Sequence, residues 1–270
     1  MDWLSGIPIL IALPLFAVVP AAIAVIAHSI FRKYVPPEAL IEQHEVAGFL
    51  VSVVGVLYSV VLGFLVGTVW TAFATAQQTI DMEAGYLADA FGYASNVQEP
   101  QRSELQRIFA KYAIGVHDSA WSVPQHGEQD PQSIKLINDA AALTFTMPPP
   151  AHASPGAVLE ASMVRTELLD GIRNIADTRR LRLIQAQSRL PPGMYEALGL
   201  GAIMVIAFAF FFGVKNYFKQ MLMTALVAGS IGLFLGLIVE LSTPYSGSIR
   251  VSRDAWTFVI ENNHLERYLR

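Results

Sequence analysis

The chain has 270 residues, of which 53% are hydrophobic and only 15% charged, and its mean hydropathy is +0.44. Such a composition suits a chain whose main solvent is lipid rather than water. A formal net charge of −4, with no dense basic run, argues against a nucleic-acid partner. The lack of cysteine removes disulfides, thiolate metal sites and cysteine nucleophiles.

Four uncharged apolar stretches, 7–31, 46–80, 197–214 and 221–239, interrupt the chain. A hydrocarbon core about 30 Å thick needs roughly 20 helical residues, so each stretch predicts a membrane span. No Lys or Arg precedes the first stretch, while Arg32 and Lys33 follow it. That charge order predicts a retained span rather than a cleaved signal peptide. Pro14 and Pro20 predict a bend in it. His28 is its titratable side chain, expected at the membrane interface because it lies near the end of the stretch.

The second stretch is too long for one crossing. A helix of that length would run to roughly 50 Å, so it is expected to continue beyond the bilayer. Its entry, His44-Glu45-Val46-Ala47-Gly48, begins like a zinc-protease HExxH helix but carries Gly where the second imidazole must stand. His44 and Glu45 therefore read as polar residues at a membrane surface.

The segment 81–196 has no strand-like alternation and reads as helices broken by Pro- and Gly-containing turns. One helix continues the second span to about Val97 and stops before Glu99-Pro100. A second is expected from Ser103 to Trp121, with Leu105, Ile108, Phe109, Tyr112 and Val116 on one face. Asp130-Pro131 offers an N-cap and first-turn proline for a third, which Met147-Pro148-Pro149-Pro150 must break near Thr146. Ser154-Pro155 starts a fourth, running to about Arg189 with Val158, Ala161, Val164, Leu168, Ile172 and Ile175 at helical spacing. Arg179, Arg180, Arg182 and Arg189 on this helix suit anionic headgroups, anions or a solvated salt-bridged face.

The third and fourth stretches are separated so briefly, by 215–220, that they must form an antiparallel hairpin. Glu240 ends the fourth and is expected at the interface. The organisation is thus a first helix pair at 1–80, a helical extramembrane bundle at 81–196, a second hairpin at 197–241 and a C-terminal tail at 242–270 on the bundle side. With four spans, both termini and the bundle share one side of the membrane. Arg32, Lys33, Lys215 and Lys219 flank the spans at one end, and Arg179, Arg180, Arg182, Arg189, Arg250 and Arg253 at the other, so positive charge assigns no unique orientation.

No GxSxG elbow, phosphate-cradling loop or dinucleotide fingerprint is present, which disfavours an enzyme. The pairs Asp81 with Glu83 and Glu167 with Asp170 read as charges on outer faces of the bundle. Gly48, Ser52, Gly55, Ser59, Gly63, Gly67, Trp70, Ala74, Gln77 and Asp81 recur at intervals of three or four, a stripe of mostly small or polar side chains. Two readings compete. Small residues let helices approach closely, as in Gly63-x-x-x-Gly67 and Gly232-x-x-x-Gly236. Alternatively, copies of the chain surround an axis with this stripe inward, and it lines a pore.

The segment from His44 to Gly48, then Val54-Gly55-Val56-Leu57-Tyr58-Ser59-Val60-Val61-Leu62-Gly63-Phe64, Trp70 and Glu83-Ala84, resembles the bestrophin-like family of bacterial and plant membrane proteins. The likeness extends to Arg179, Arg180, Pro191 and the run from Thr243 to Ser252. It implies kinship with bestrophins, pentameric anion channels whose second membrane helix lines the pore. Val60 and Phe64 are the nearest counterparts of their bulky apolar neck. No counterpart of the acidic calcium cluster of animal bestrophins is seen, and calcium gating is not carried over.

The expected fold is therefore all-α: a four-span helical membrane protein with a helical extramembrane bundle and a second membrane helix extending beyond the bilayer. The expected function is an oligomeric passive ion channel in the plasma membrane, with anions preferred over cations. The oligomer is a pentamer by resemblance, the partners are lipid, ions and further copies of the chain, and no cofactor or metal is implied. Ser52, Gly55, Ser59, Gly63, Gly67 and Trp70 are the pore-lining candidates, with Val60 and Phe64 at the constriction. Gln77, Asp81, Arg179, Arg180 and Arg182 are vestibule candidates. Trp3, Tyr34, Trp70, Tyr195 and Tyr217 are expected to anchor the spans at the interfaces. The competing class is a non-conducting scaffold or sensor whose bundle binds a protein or lipid.

Overall fold

A computed structural model describes residues 8–36, 40, 44–119, 131–148, 154–188, 190–212, 214, 216–246 and 248–269. The expected roles of Trp3, Trp121, Asp130, Pro149, Pro150, Arg189 and Lys215 fall outside the described residues. The fold is all-helical. The elements are α1 (Ile9–Tyr34), α2 (His44–Ala94), α3 (Gln101–Ser119), α4 (Pro131–Phe145), α5 (Pro155–Gln187), α6 (Pro192–Phe210), α7 (Tyr217–Leu241) and α8 (Asp254–Asn262), followed by a 3-10 helix, Leu265–Leu269. Among the described residues, α1, α2, α6 and α7 are long and apolar enough to cross a membrane.

The expected starts and stops have visible causes. Ser154 caps α5 by accepting from the Ala157 amide at 3.3 Å, with Pro155 in the first turn. Asn216 caps α7 by accepting from the Lys219 amide at 3.0 Å. Pro14 and Pro20 both lie inside the continuous α1.

The chain forms two compact units, Met1–Phe73 with Arg189–Ile249, and Ala74–Ser188 with Arg250–Arg270. In the first, α1 lies along α7, a contact between the first and last spans that adjacency in sequence does not announce. Glycines of α7 make it possible. A methyl group at Gly232 would overlap the Phe16 carbonyl oxygen and the Pro20 ring, and one at Gly236 would overlap the Phe16 ring. Small-residue packing of this kind is what membrane helices use to approach closely. The small motif of the fourth span is thus spent within the chain.

The same contact buries His28, which was expected at the interface. Its Nδ1 lies 2.7 Å from Thr224 Oγ1, and its ring stacks on Phe210 with centroids 4.5 Å apart. Position near a helix end did not decide its exposure, because α6 and α7 cover that end of α1. One turn on, Arg32 donates to Gln220 Oε1 at 2.7 Å and to the Val214 carbonyl at 3.2 Å, and its guanidinium lies over the Tyr217 ring. Glu240 is buried as well: its Oε2 accepts from the amides of Ser248 at 2.6 Å and Ile249 at 3.3 Å. The carboxylate thereby closes the turn that follows α7.

The second unit packs the later part of α2 with α3, α4, α5, α8 and the 3-10 helix. The expected α3 face, Leu105, Ile108, Phe109, Tyr112 and Val116, is buried throughout. The α5 stripe is buried at Leu168, Ile172 and Ile175 but opens at Val158, Ala161 and Val164, which line a groove of about 540 Å³ with Val97, Met147 and Pro148. Trp256 of α8 is fully buried, its ring centroid 6.2 Å from that of Tyr112.

Candidate functional site

Within the first unit α2 has two contrasting sides. Leu62, Leu65 and Val69 are buried against Leu198 of α6 and Ile238 and Leu241 of α7. Tyr58 belongs to the same side: its hydroxyl donates to the Leu198 carbonyl at 3.0 Å. Its ring occupies space that only glycine leaves open, since a methyl group at Gly201 would stand 2.7 Å from it. Helical periodicity places Ser52, Val56, Ser59, Val60, Gly63, Phe64 and Gly67 away from this packed side.

Those residues are exposed in the single chain, Val60 to 64% and Phe64 to 75%. Trp70 is exposed as well and stacks on Phe73 with centroids 6.3 Å apart. Gly55 is half-buried, yet a methyl group there, at Gly63 or at Gly67 would have nothing within 4 Å. Of the pore-lining and constriction candidates all but Gly55 are thus exposed in the single chain, as are Leu50, Leu57 and Val61 of the same helix. In this they differ from the α7 glycines, whose missing side chains are filled by α1.

The vestibule candidates, all in the second unit, separate into two groups. Asp81 is exposed and accepts from Gln77 Nε2 at 2.9 Å. Arg180 is 71% exposed by side chain and pairs with Asp177 at 3.1 Å. Gln77 and Arg182 turn to structural work, and Arg179 is turned inward. Gln77 Oε1 accepts from the Ser252 amide at 2.6 Å, and its Nε2 reaches the Ser252 carbonyl at 3.5 Å, so the side chain holds the tail as a neighbouring strand would. Gln77→Ala should cost roughly 1–3 kcal/mol by stranding these backbone groups. The expected signature is faster amide exchange at Ser252 with exchange at Trp256 unchanged.

Arg179 is buried, and Arg182 keeps only 7% of its side chain exposed. Arg182 Nε donates to Glu83 Oε2 at 2.7 Å and Nη2 to Oε1 at 3.2 Å, while the Tyr112 hydroxyl donates to Oε1 at 2.6 Å. Glu83 has no exposure at all, which corrects the reading of it as an outer-face charge. The signal was present in the sequence: Glu83 stands in helical register with Ile80 and Leu87, and Arg182 with Leu168 and Ile175. A charge on a core-facing stripe must find a partner there. Burial, and then the Glu83 charge, push the Tyr112 phenol well above its ordinary range, so it stays a proton donor to the carboxylate. Among the described residues no group of three or more His, Asp or Glu is placed to hold a metal ion.

The domain description that matches this sequence is that of the bestrophin-like domain, over residues 18–256. Among solved structures, the chain is similar to a bacterial bestrophin homologue from Klebsiella pneumoniae, with a TM-score of 0.59 and 13% identity over 97% of both chains. A tyrosine-to-alanine variant of that homologue gives 0.59 with 14% identity over 97% of both chains. An isoleucine-to-threonine variant gives 0.57 with 13% identity over 97% of this chain and 96% of that one. No curated protein matches the sequence. Identities this low establish a shared fold, not a shared activity. The domain match spans most of the chain, from within α1 to within α8, and the chain belongs to the bestrophin-like family.

Proposed function

We propose that the chain is one subunit of a passive ion channel in the plasma membrane, several copies surrounding an axis with the free side of α2 inward. One observation carries this reading: the side of α2 bearing Ser52, Ser59, Gly63, Gly67, Val60 and Phe64 is exposed and has no packing partner among the described residues. A long apolar helix with one side packed and the other exposed, carrying glycines and hydroxyls between bulky apolar side chains, suits a symmetric assembly that makes a conduit from a repeated element. Val60 and Phe64 would supply the apolar constriction. Asp81 and Arg180 are the vestibule candidates that face solvent. Family membership supports the channel, and the pentamer rests on the same kinship. The anion preference comes from that kinship alone, since α2 carries no Lys or Arg.

Purified protein of verified oligomeric mass, reconstituted in liposomes, should pass selective current. Ser59→Leu and Gly63→Leu should each reduce unitary conductance severalfold while the oligomer keeps its mass. Unaltered conductance from an intact Gly63→Leu assembly would remove α2 from the pore. A non-conducting scaffold or sensor is favoured by one observation, the open groove between Val97, Met147 and Val164 in the second unit. Silence from a correctly inserted oligomer would shift the assignment to that class.

A further inference from the structure

We propose that the groove of the second unit binds a dissolved amphipathic monocarboxylate, an acyl or aryl acid of medium size, with Arg165 holding the carboxylate. The inference goes beyond the conduit on α2 and stands whether or not that conduit conducts.

The bed of the groove is a core stripe that runs on past its core. Val158, Ala161 and Val164 continue, at helical spacing, the α5 positions buried at Leu168, Ile172 and Ile175, but they open onto the groove together with Val97 and Met147. Its volume of about 540 Å³ falls within the roughly 300–1,000 Å³ of small-molecule sites.

An apolar bed alone names no ligand; Arg165 does. Its side chain is half-buried and lines the groove, and its Nη2 donates to the Phe145 carbonyl at the end of α4. That bond tethers one edge of the guanidinium and ties α5 to α4. Arg102, Arg107, Arg173, Arg180 and Arg182 of the same unit each pair with a carboxylate, whereas no described carboxylate pairs with Arg165. A planar fork of donors beside apolar surface is the complement of an acid with an apolar body.

The other charges narrow the class. Glu160 also lines the groove and is exposed, about 7.5 Å along α5 from Arg165 by helical rise. A dianion such as phosphate would meet one cation and one like charge, which costs affinity. A single carboxylate on Arg165, with its apolar body laid on the bed, carries less of that cost. Asp89, Glu99 and Glu167, on the elements that form the groove, are all exposed. Such charges belong in water, so the ligand comes from solution rather than from a bilayer.

The test is isothermal titration calorimetry of the full-length protein in nanodiscs, with empty nanodiscs subtracted and octanoate as the probe. Octanoate should bind once per chain, and hexanoate roughly tenfold more weakly because two methylenes fewer are buried. Arg165→Gln should weaken octanoate at least about tenfold, the scale of a charge-assisted hydrogen bond, and leave octan-1-ol unchanged. Arg165→Lys should restore part of the loss. Ala161→Phe, which fills the bed and keeps the guanidinium, should block both probes; circular dichroism checks that each variant is folded. Octanoate heat no greater than in empty nanodiscs, or unchanged by both Arg165→Gln and Ala161→Phe, puts the probe in lipid and overturns the proposal. So does inorganic phosphate that binds as tightly as octanoate, since the bed would then have no part in recognition.

Discussion

Arg182→Met should destabilise the unit built on Ala74–Ser188 by about 3–5 kcal/mol, the scale for removing one partner of a buried ion pair. Glu83 has no exposure and takes both strong donors, Arg182 and Tyr112, from other helices. Without the guanidinium the carboxylate keeps the phenol hydrogen bond but loses its ion pair. The companion substitution decides the mechanism. Arg182→Met with Glu83→Leu removes both charges and should recover most of the loss, because well-packed apolar replacements of buried pairs are often neutral. Arg180→Met, two residues away but exposed and paired only with Asp177, should change stability by less than about 1 kcal/mol. Thermal unfolding in detergent followed by circular dichroism separates the three. Equal losses from Arg180→Met and Arg182→Met would show that the buried cluster is not what holds this unit.

Gly232→Ala should break the contact between α1 and α7. The added methyl group meets a backbone carbonyl, that of Phe16, together with the Pro20 ring, and neither can rotate away. The helices must separate, at a cost of about 1–3 kcal/mol or more from overpacking. Gly229→Ala should be milder, since its methyl group would lie 3.3 Å from the Ala17 carbonyl oxygen. Gly63→Ala should leave the stability of the single chain unchanged, having nothing within 4 Å. Its effect belongs to the assembly or the current. Denaturant-induced unfolding in mixed micelles, monitored by Trp fluorescence, ranks the series. The prediction fails if Gly63→Ala unfolds the chain as readily as Gly232→Ala.

These two results test different depths of legibility. Four spans, the overlong second helix and the helical character of 81–196 follow from hydropathy and periodicity, both local properties of a chain. The buried face of α3 could be read residue by residue for the same reason. The stripe on α2 could be seen, but two motifs of the same small-residue kind meant different things. Gly232-x-x-x-Gly236 is filled by Phe16 and Pro20, residues more than two hundred positions away, whereas Gly63-x-x-x-Gly67 meets nothing among the described residues. No local pattern carries that distinction.

His28, Glu83, Glu240 and Arg182 teach the same lesson for charge and polarity. His28 and Glu240 were assigned the interface from their places near span ends, Glu83 an outer face from its charge, and Arg182 a vestibule or a solvated face. Each is buried because a distant helix or turn supplies its partner: Thr224 for His28, Arg182 and Tyr112 for Glu83, the amides of Ser248 and Ile249 for Glu240. The sequence by itself determined that this protein is helical, that it has four segments able to cross a bilayer, and which side of each amphipathic helix is apolar. Only the tertiary structure decided which glycines are contact surfaces, which charges are sealed in pairs and which side of α2 is left without a partner. Burial of a polar group depends on whether a complementary group reaches it from another element, and that is a property of the packed chain rather than of any segment.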